Sequence, residues 1–174
     1  MITTIDEKLF LNQKVTIKKK YNKEHMELHN FFYDITDLYP ENILIRKGYV
    51  FFFVKTTEYF KSKKFLKSMR QKLHNKVIII RNEKTLIKLI LGFFPDTYVH
   101  EITLDQDSTG KIFVNLHFIF YEDRGIAIGR KGEYIKLVNE IFKKDIEKEY
   151  DDDFEIRCIY CELRSKILNN FNYL

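Results

Sequence analysis

Four consecutive residues, Gly129-Arg130-Lys131-Gly132, carry the clearest chemical signal in this 174-residue chain: two cations bracketed by two glycines. Glycine takes backbone angles that other residues avoid, and it lets a ligand's backbone come close. The apolar periodicity of Glu133 to Lys144 predicts a helix directly after the loop, so unpaired amide N–H groups and the positive end of a helix dipole would face the loop's ligand. Those groups, with Arg130 and Lys131 at the tip, suit a phosphate. Ile126, Ile128 and Ile135 would form an apolar wall for an unstacked base. Arg124, Tyr134 and Lys136 complete the candidate set, with Tyr134 as the one aromatic available for contact. The chemistry to expect of such a set is non-covalent phosphate binding beside an apolar surface.

Other constellations are poorer. Cys158 and Cys161 form a lone C-x-x-C, whereas a structural zinc site needs four ligands, and the flanking pattern reads as a strand whose residues three apart face opposite sides. Idle thiols and a reducing compartment follow. His25 and His29 lie four apart without a third ligand. His74, His100 and His117 show no metal spacing either. Asp151 to Asp153 read as a solvated turn. There is no P-loop, nucleophile elbow or credibly partnered carboxylate pair, so neither an enzyme nor a cofactor is expected.

The net charge of +5 and pI near 9.0 suit a polyanionic partner. The longest apolar run, Tyr49 to Val54, is about a third of the ~20 residues that a membrane-spanning helix requires, so no membrane partner is expected. Met1 to Phe10 carries Asp6 and Glu7 and has no apolar core, so it does not read as a secretory signal. The wealth of Lys, Ile, Asn, Phe and Tyr suggests an AT-rich coding genome. The cytoplasm or an organelle interior, plastid or mitochondrion, is the expected location.

The elements that must position the loop repeat along the chain. Lys23 to Leu38 has helical apolar spacing and is expected to stop at Pro40. Glu41 to Arg46 and Tyr49 to Lys55 read as strands joined at Lys47-Gly48. Thr57 to Leu73 is helical, broken near Lys61 to Lys64, and Lys76 to Arg81 is a β-branched strand. The same order follows again: helix Glu83 to Phe93, strands Thr97 to Leu104 and Lys111 to Tyr121 around the turn 105–110, helices Asp123 to Ile128 and Glu133 to Lys144, and strand Phe154 to Glu162. Lys14 to Lys19 reads as a strand and Arg164 to Leu174 as a terminal helix. Aligning Lys63 with Gly132 sets Leu66 and Met69 opposite Ile135 and Val138. Phe60 and Lys63 then stand where Gly129 and Gly132 stand. Phe51, Phe53, Phe113 and Phe118 alternate along strands and are expected in the core.

The stretch Asp123-Arg124-Gly125-Ile126-Ala127-Ile128-Gly129-Arg130-Lys131-Gly132-Glu133-Tyr134-Ile135-Lys136 resembles the signature of KH domains, which clamp about four nucleotides of single-stranded nucleic acid at a G-x-x-G loop. The order helix–strand–strand–helix–helix–strand is that of the type II KH fold, and the wording of the motif resembles the second KH domain of the NusA family, especially its short archaeal form. The resemblance implies an α+β fold of two tandem type II KH units. Their expected bounds are 1–22 for an N-terminal extension, 23–82 for a unit with a degenerate loop, 83–163 for the intact unit and 164–174 for the terminal helix. It implies RNA as the ligand, a nascent transcript or rRNA, and RNA polymerase or a ribosomal subunit as host. Transcription elongation, termination or antitermination is the implied process, with ribosome docking or assembly as the alternative. Lys61, Lys63, Lys64, Lys67 and Arg70 would give the degenerate unit a secondary basic surface that touches phosphates without gripping a strand.

Overall fold

Helix α1 (Thr4–Asn12) leads into the short strand β1 (Val15–Ile17), and Asn22 then caps α2 (Lys23–Thr36) by accepting the His25 amide on Oδ1 at 2.9 Å. The computed structural model describes residues 4–150 and 152–161. Helix α2 ends earlier than Pro40: Asp37 turns left-handed at φ 57° and donates its N–H to the Tyr33 carbonyl at 2.8 Å. Asp is one of the few residues that take this conformation readily.

Strands β2 (Asn42–Arg46) and β3 (Tyr49–Val54) form the expected hairpin, with Lys47 and Gly48 at φ 47° and 80°. A 3-10 turn (Thr56–Glu58), α3 (Tyr59–Lys63), α4 (Leu66–Lys72) and β4 (Lys76–Arg81) follow. Then come α5 (Leu86–Gly92), β5 (Glu101–Gln106), β6 (Ile112–Phe118), α6 (Tyr121–Ile128), a turn (Arg130–Gly132), α7 (Glu133–Lys144), β7 (Ile146–Lys148) and β8 (Phe154–Tyr160). The chain is thus a small α+β protein. Two three-stranded sheets, β2-β3-β4 and β5-β6-β8, share one design. In each, the middle strand runs antiparallel to the strand before it and parallel to the strand after it.

Packing divides the described residues into two units, one of 4–95 with 140–150, the other of 96–139 with 152–161. These bounds differ from those expected from sequence, for a reason visible in the hydrogen bonds. The Val15 N–H donates to the Lys84 carbonyl and the Leu86 N–H to the Gln13 carbonyl, both at 3.0 Å, while β1 pairs with β7. The N-terminal residues, α5 and β7 therefore belong to the first unit.

In that unit β3 is buried on both faces. Val50, Phe52 and Val54 pack with Leu28, Phe32, Tyr59, Met69, Val77 and Ile79. On the other face Phe51 and Phe53 meet Phe93 at ring-centroid distances of 5.5 and 5.9 Å, and Phe93 meets Phe142 at 5.2 Å. The unbroken apolar run of β3 is the sequence consequence of two covered faces.

Strand β5 starts four residues later than Thr97 and ends two residues later than Leu104, where Asp105 and Gln106 pair with Phe113 and Ile112. The turn that remains is held by Asp107, whose carboxylate accepts from the Thr109 hydroxyl at 2.6 Å and from the Thr109 and Lys111 amides at 2.8 and 3.1 Å. These bonds, the Thr109 hydroxyl foremost, hold its carboxyl below the usual carboxylate range. The helix expected at 164–174 lies outside the described residues.

Candidate nucleic-acid interface

The loop between α6 and α7 is built by glycine geometry. The Gly129 N–H donates to the Gly125 carbonyl at 3.0 Å, closing α6, and Gly129 itself sits at φ 75°, ψ 173°. Lys131 is left-handed at φ 53°, and Gly132 lies at φ 73°. A Cβ placed on Gly129 would lie 2.6 Å from Tyr134 Cβ and 3.1 Å from the Tyr134 amide nitrogen, whereas one on Gly132 would meet only Lys136 Cε, at 3.9 Å. Gly129 is the contact point between the loop and the first turn of α7.

Fewer amides point outward than the sequence leads one to expect. The Gly132 N–H donates to the Gly129 carbonyl at 3.1 Å and the Glu133 N–H to the Arg130 carbonyl. The loop therefore offers a phosphate the tip amides of Arg130 and Lys131, with both side chains exposed. Lys136 is exposed beside Gly132. Ile126 is 56% exposed, and Ile128 and Ile135 are half-buried.

Two candidates have other duties. Arg124 is half-buried and donates its Nε to the Cys158 carbonyl at 3.1 Å. Tyr134 is only 8% exposed and forms the surface against which Gly129 packs, so it does not serve as an open stacking ring. Exposed aromatics of the same unit include Tyr98, Phe120 and Tyr121 at the start of α6, and Tyr160 at the end of β8, with Tyr121 edge-on to Tyr160 at 5.6 Å. From sequence alone Tyr121 reads as the last residue of a strand. Its spacing from Arg124 and Ile128, three and seven residues on, is the helical signal that could have found it.

Strand β8 is an edge strand. Asn139 covers it by donating to the Ile156 carbonyl at 3.0 Å and accepting the Ile156 amide at 2.7 Å, and Arg124 takes the next outward carbonyl, that of Cys158. Side chains from α6 and α7 thus blunt an edge that would otherwise pair with another strand.

The two cysteines sit in different surroundings. Burial pushes the Cys158 thiol up to about 12, against the opposing charge of Arg124. Cys161 Sγ lies 3.1 Å from His117 Nδ1, and His117 Nε2 lies 2.8 Å from the Thr103 hydroxyl. Among the described residues no three His, Cys, Asp or Glu side chains gather as metal ligands. A thiol near 12 is thiolate in only about one molecule in ten thousand at pH 8, so iodoacetamide should modify Cys161 at least about tenfold faster than Cys158. Peptide mass spectrometry reads the two rates, and equal rates would contradict the placement of Cys158.

In the first unit Lys61, Lys64 and Lys67 are exposed. Lys63 lies with Nζ 5.6 Å over the Tyr59 ring, and Arg70 donates from Nε and Nη2 to the Val77 carbonyl at 3.1 and 3.0 Å, tying α4 to β4. The corresponding corner has no glycine-bracketed loop. Lys64 and Phe65 pass from α3 to α4 at φ −58° and −93°, so the chain turns without entering the left-handed region.

Fold and site together define a class: a small α+β protein that repeats one three-stranded design and carries one basic loop bracketed by glycines. No family model matches the sequence, and no curated protein matches it. Among solved structures, one described as "Crystal structure of APE1850" is similar with a TM-score of 0.56 at 15% identity, covering 80% of this chain and 100% of that one. The likeness is one of fold. No helix among the described residues is long and apolar enough to cross a membrane.

Proposed function

We propose that the protein is a non-enzymatic RNA-binding factor of two tandem type II KH units, similar to the NusA family, and that it holds single-stranded RNA at Gly129 to Gly132. The observation that carries this reading is the loop itself: Gly129 pressed against the start of α7, with Arg130 and Lys131 exposed at the tip. The half-buried Ile128 and Ile135 and the open Ile126 supply apolar surface for bases, and the repeated strand order supports a tandem. The process served is transcription elongation, termination or antitermination, with the nascent transcript as ligand and RNA polymerase as host.

The test is charge reversal. Arg130→Asp with Lys131→Asp should weaken binding of a short single-stranded RNA tenfold or more and lower the slope of log K against log salt by about 1.4. The melting temperature should stay close to that of the parent protein, because both residues are exposed and Asp accepts the left-handed angle at position 131. Equal affinity in the two proteins would overturn the reading. A second reading, an rRNA-docking or ribosome-assembly protein, draws on the exposed Lys61, Lys64 and Lys67 of the first unit. Co-sedimentation with ribosomal particles at moderate salt favours it, and capture of RNA polymerase favours the first.

A further inference from the structure

Where the second unit has Gly129, the first has Phe60, and its ring is held out in solvent: Phe60 is 70% exposed. An exposed phenyl on a five-residue helix costs hydration and contributes little to packing, yet this one is held in place. One edge leans on the buried Tyr59 ring, at 5.3 Å between centroids and 73° between planes. The Arg81 guanidinium, at the end of β4, lies 3.8 Å from the Tyr59 centroid and 5.1 Å from that of Phe60. The stretch Lys55 to Lys67 around it carries five lysines and one glutamate. Of the lysines, Lys61 and Lys64 lie one and four residues after Phe60 and are exposed.

We propose that Phe60 is a stacking platform for one base of single-stranded RNA, with Lys61 and Lys64 on the adjoining phosphates. The inference rests on the reading of this chain as an RNA-binding protein and adds a contact point that uses no glycine loop. A fixed aromatic amid mobile cations matches the requirements of a strand that is apolar at its base faces and anionic along its backbone. A protein partner that buries a lone phenyl prefers apolar neighbours and a desolvated pocket, and lysine is depleted at such contacts. The guanidinium beside the ring further favours a π-faced ligand.

The chain contains no Trp, so Phe60→Trp places a single indole at the site. Short oligoadenylate should quench its fluorescence, and an abasic strand of the same length, with the same charge and no bases, should not. Phe60→Ala should weaken oligoadenylate binding about tenfold while the melting temperature holds, since the ring is exposed. Quenching by both strands, or by neither, overturns the proposal, and the second result leaves Phe60 to a protein partner. Repeating the titration with Arg130→Asp and Lys131→Asp separates the two sites. Quenching that survives in that background, at higher RNA concentration, supports an independent platform. If the loop variant binds as the parent does and Phe60→Trp still responds, the loop reading alone fails. If the loop variant loses affinity and Phe60→Trp never responds, the platform alone fails.

Discussion

Gly129→Ala is expected to destabilise the protein by about 3 kcal/mol and to abolish the RNA capture proposed for the loop, the backbone conformation contributing roughly 1–3 kcal/mol and the overlap a similar amount. At φ 75°, ψ 173° the residue occupies a region that is nearly exclusive to glycine. The added methyl would also lie 2.6 Å from Tyr134 Cβ and 3.1 Å from the Tyr134 backbone nitrogen. Neither neighbour yields easily, since one is backbone and the other belongs to a buried side chain. The loop must move off α7, and with it the Arg130 and Lys131 tip. For a chain of this size the midpoint should fall by about 10 °C. Two other glycines serve as controls. A Cβ added to Gly125 would meet nothing within 4 Å, and the residue lies inside α6, so Gly125→Ala should stabilise the protein by up to about 1 kcal/mol. Gly132 has the positive φ but open space, so Gly132→Ala should cost about 1–2 kcal/mol. Thermal unfolding of the three variants gives the ranking. Gly129→Ala melting with the parent protein would mean that the loop does not hold this shape.

That ranking also marks how far the sequence is legible. The two glycines of the G-x-x-G look equivalent as letters, and only the approach of Tyr134 separates them. Elements whose reasons are local are readable to the residue. Strand β4 is an unbroken β-branched run, and α7 begins after Gly132 and keeps an apolar stripe as far as Lys144. The hairpin at Lys47-Gly48 is signalled by its own turn residues. Elements whose reasons are distant are not. Helix α1 has no strong amphipathic stripe, and although β1 is read within Lys14 to Lys19, its partner β7 lies about 130 positions later. No window of sequence contains that pairing. Helix α5 begins at Leu86 rather than Glu83 because the Lys84 carbonyl and the Thr85 bridge are taken by Val15 and Lys14. At the site, charge and glycine spacing announce the loop. Burial of Tyr134, the anchoring of Arg124 on Cys158 and of Arg70 on Val77, and the exposed ring of Phe60 are facts of three-dimensional packing. A side chain's type does not reveal whether it is already engaged.

The second large effect is expected at Asp145, where α7 gives way to β7. Its N–H donates to the Ile141 carbonyl at 2.8 Å, and its own carbonyl accepts the Lys18 amide at 2.9 Å. The side chain is 1% exposed and receives both Nε and Nη2 of Arg46 at 2.8 Å, with Lys20 Nζ farther off at 3.4 Å. The two partners are unequally buried, Arg46 remaining 25% exposed, so removing one is not the same as removing the other. Arg46→Met strands a buried carboxylate with only the half-exposed Lys20 as counter-charge and should cost about 3–5 kcal/mol, a loss of roughly 150-fold or more in the folding constant. Asp145→Asn keeps the shape and one acceptor, and leaves a cation that still reaches water, so about 2 kcal/mol is expected. Arg46→Met combined with Asp145→Leu should recover most of the loss, because no isolated charge is then buried. Urea unfolding of the four proteins measures the cycle. In Arg46→Met, trypsin should cut first at Lys144 or Lys148, since Asp145 fastens that stretch beside β1. Arg46→Met no less stable than Asp145→Asn would mean that the carboxylate is not buried against Arg46. The C-terminal end of α7 would then be held in the first unit by Ile141, Phe142, the Lys47–Glu140 ion pair and the β1–β7 ribbon.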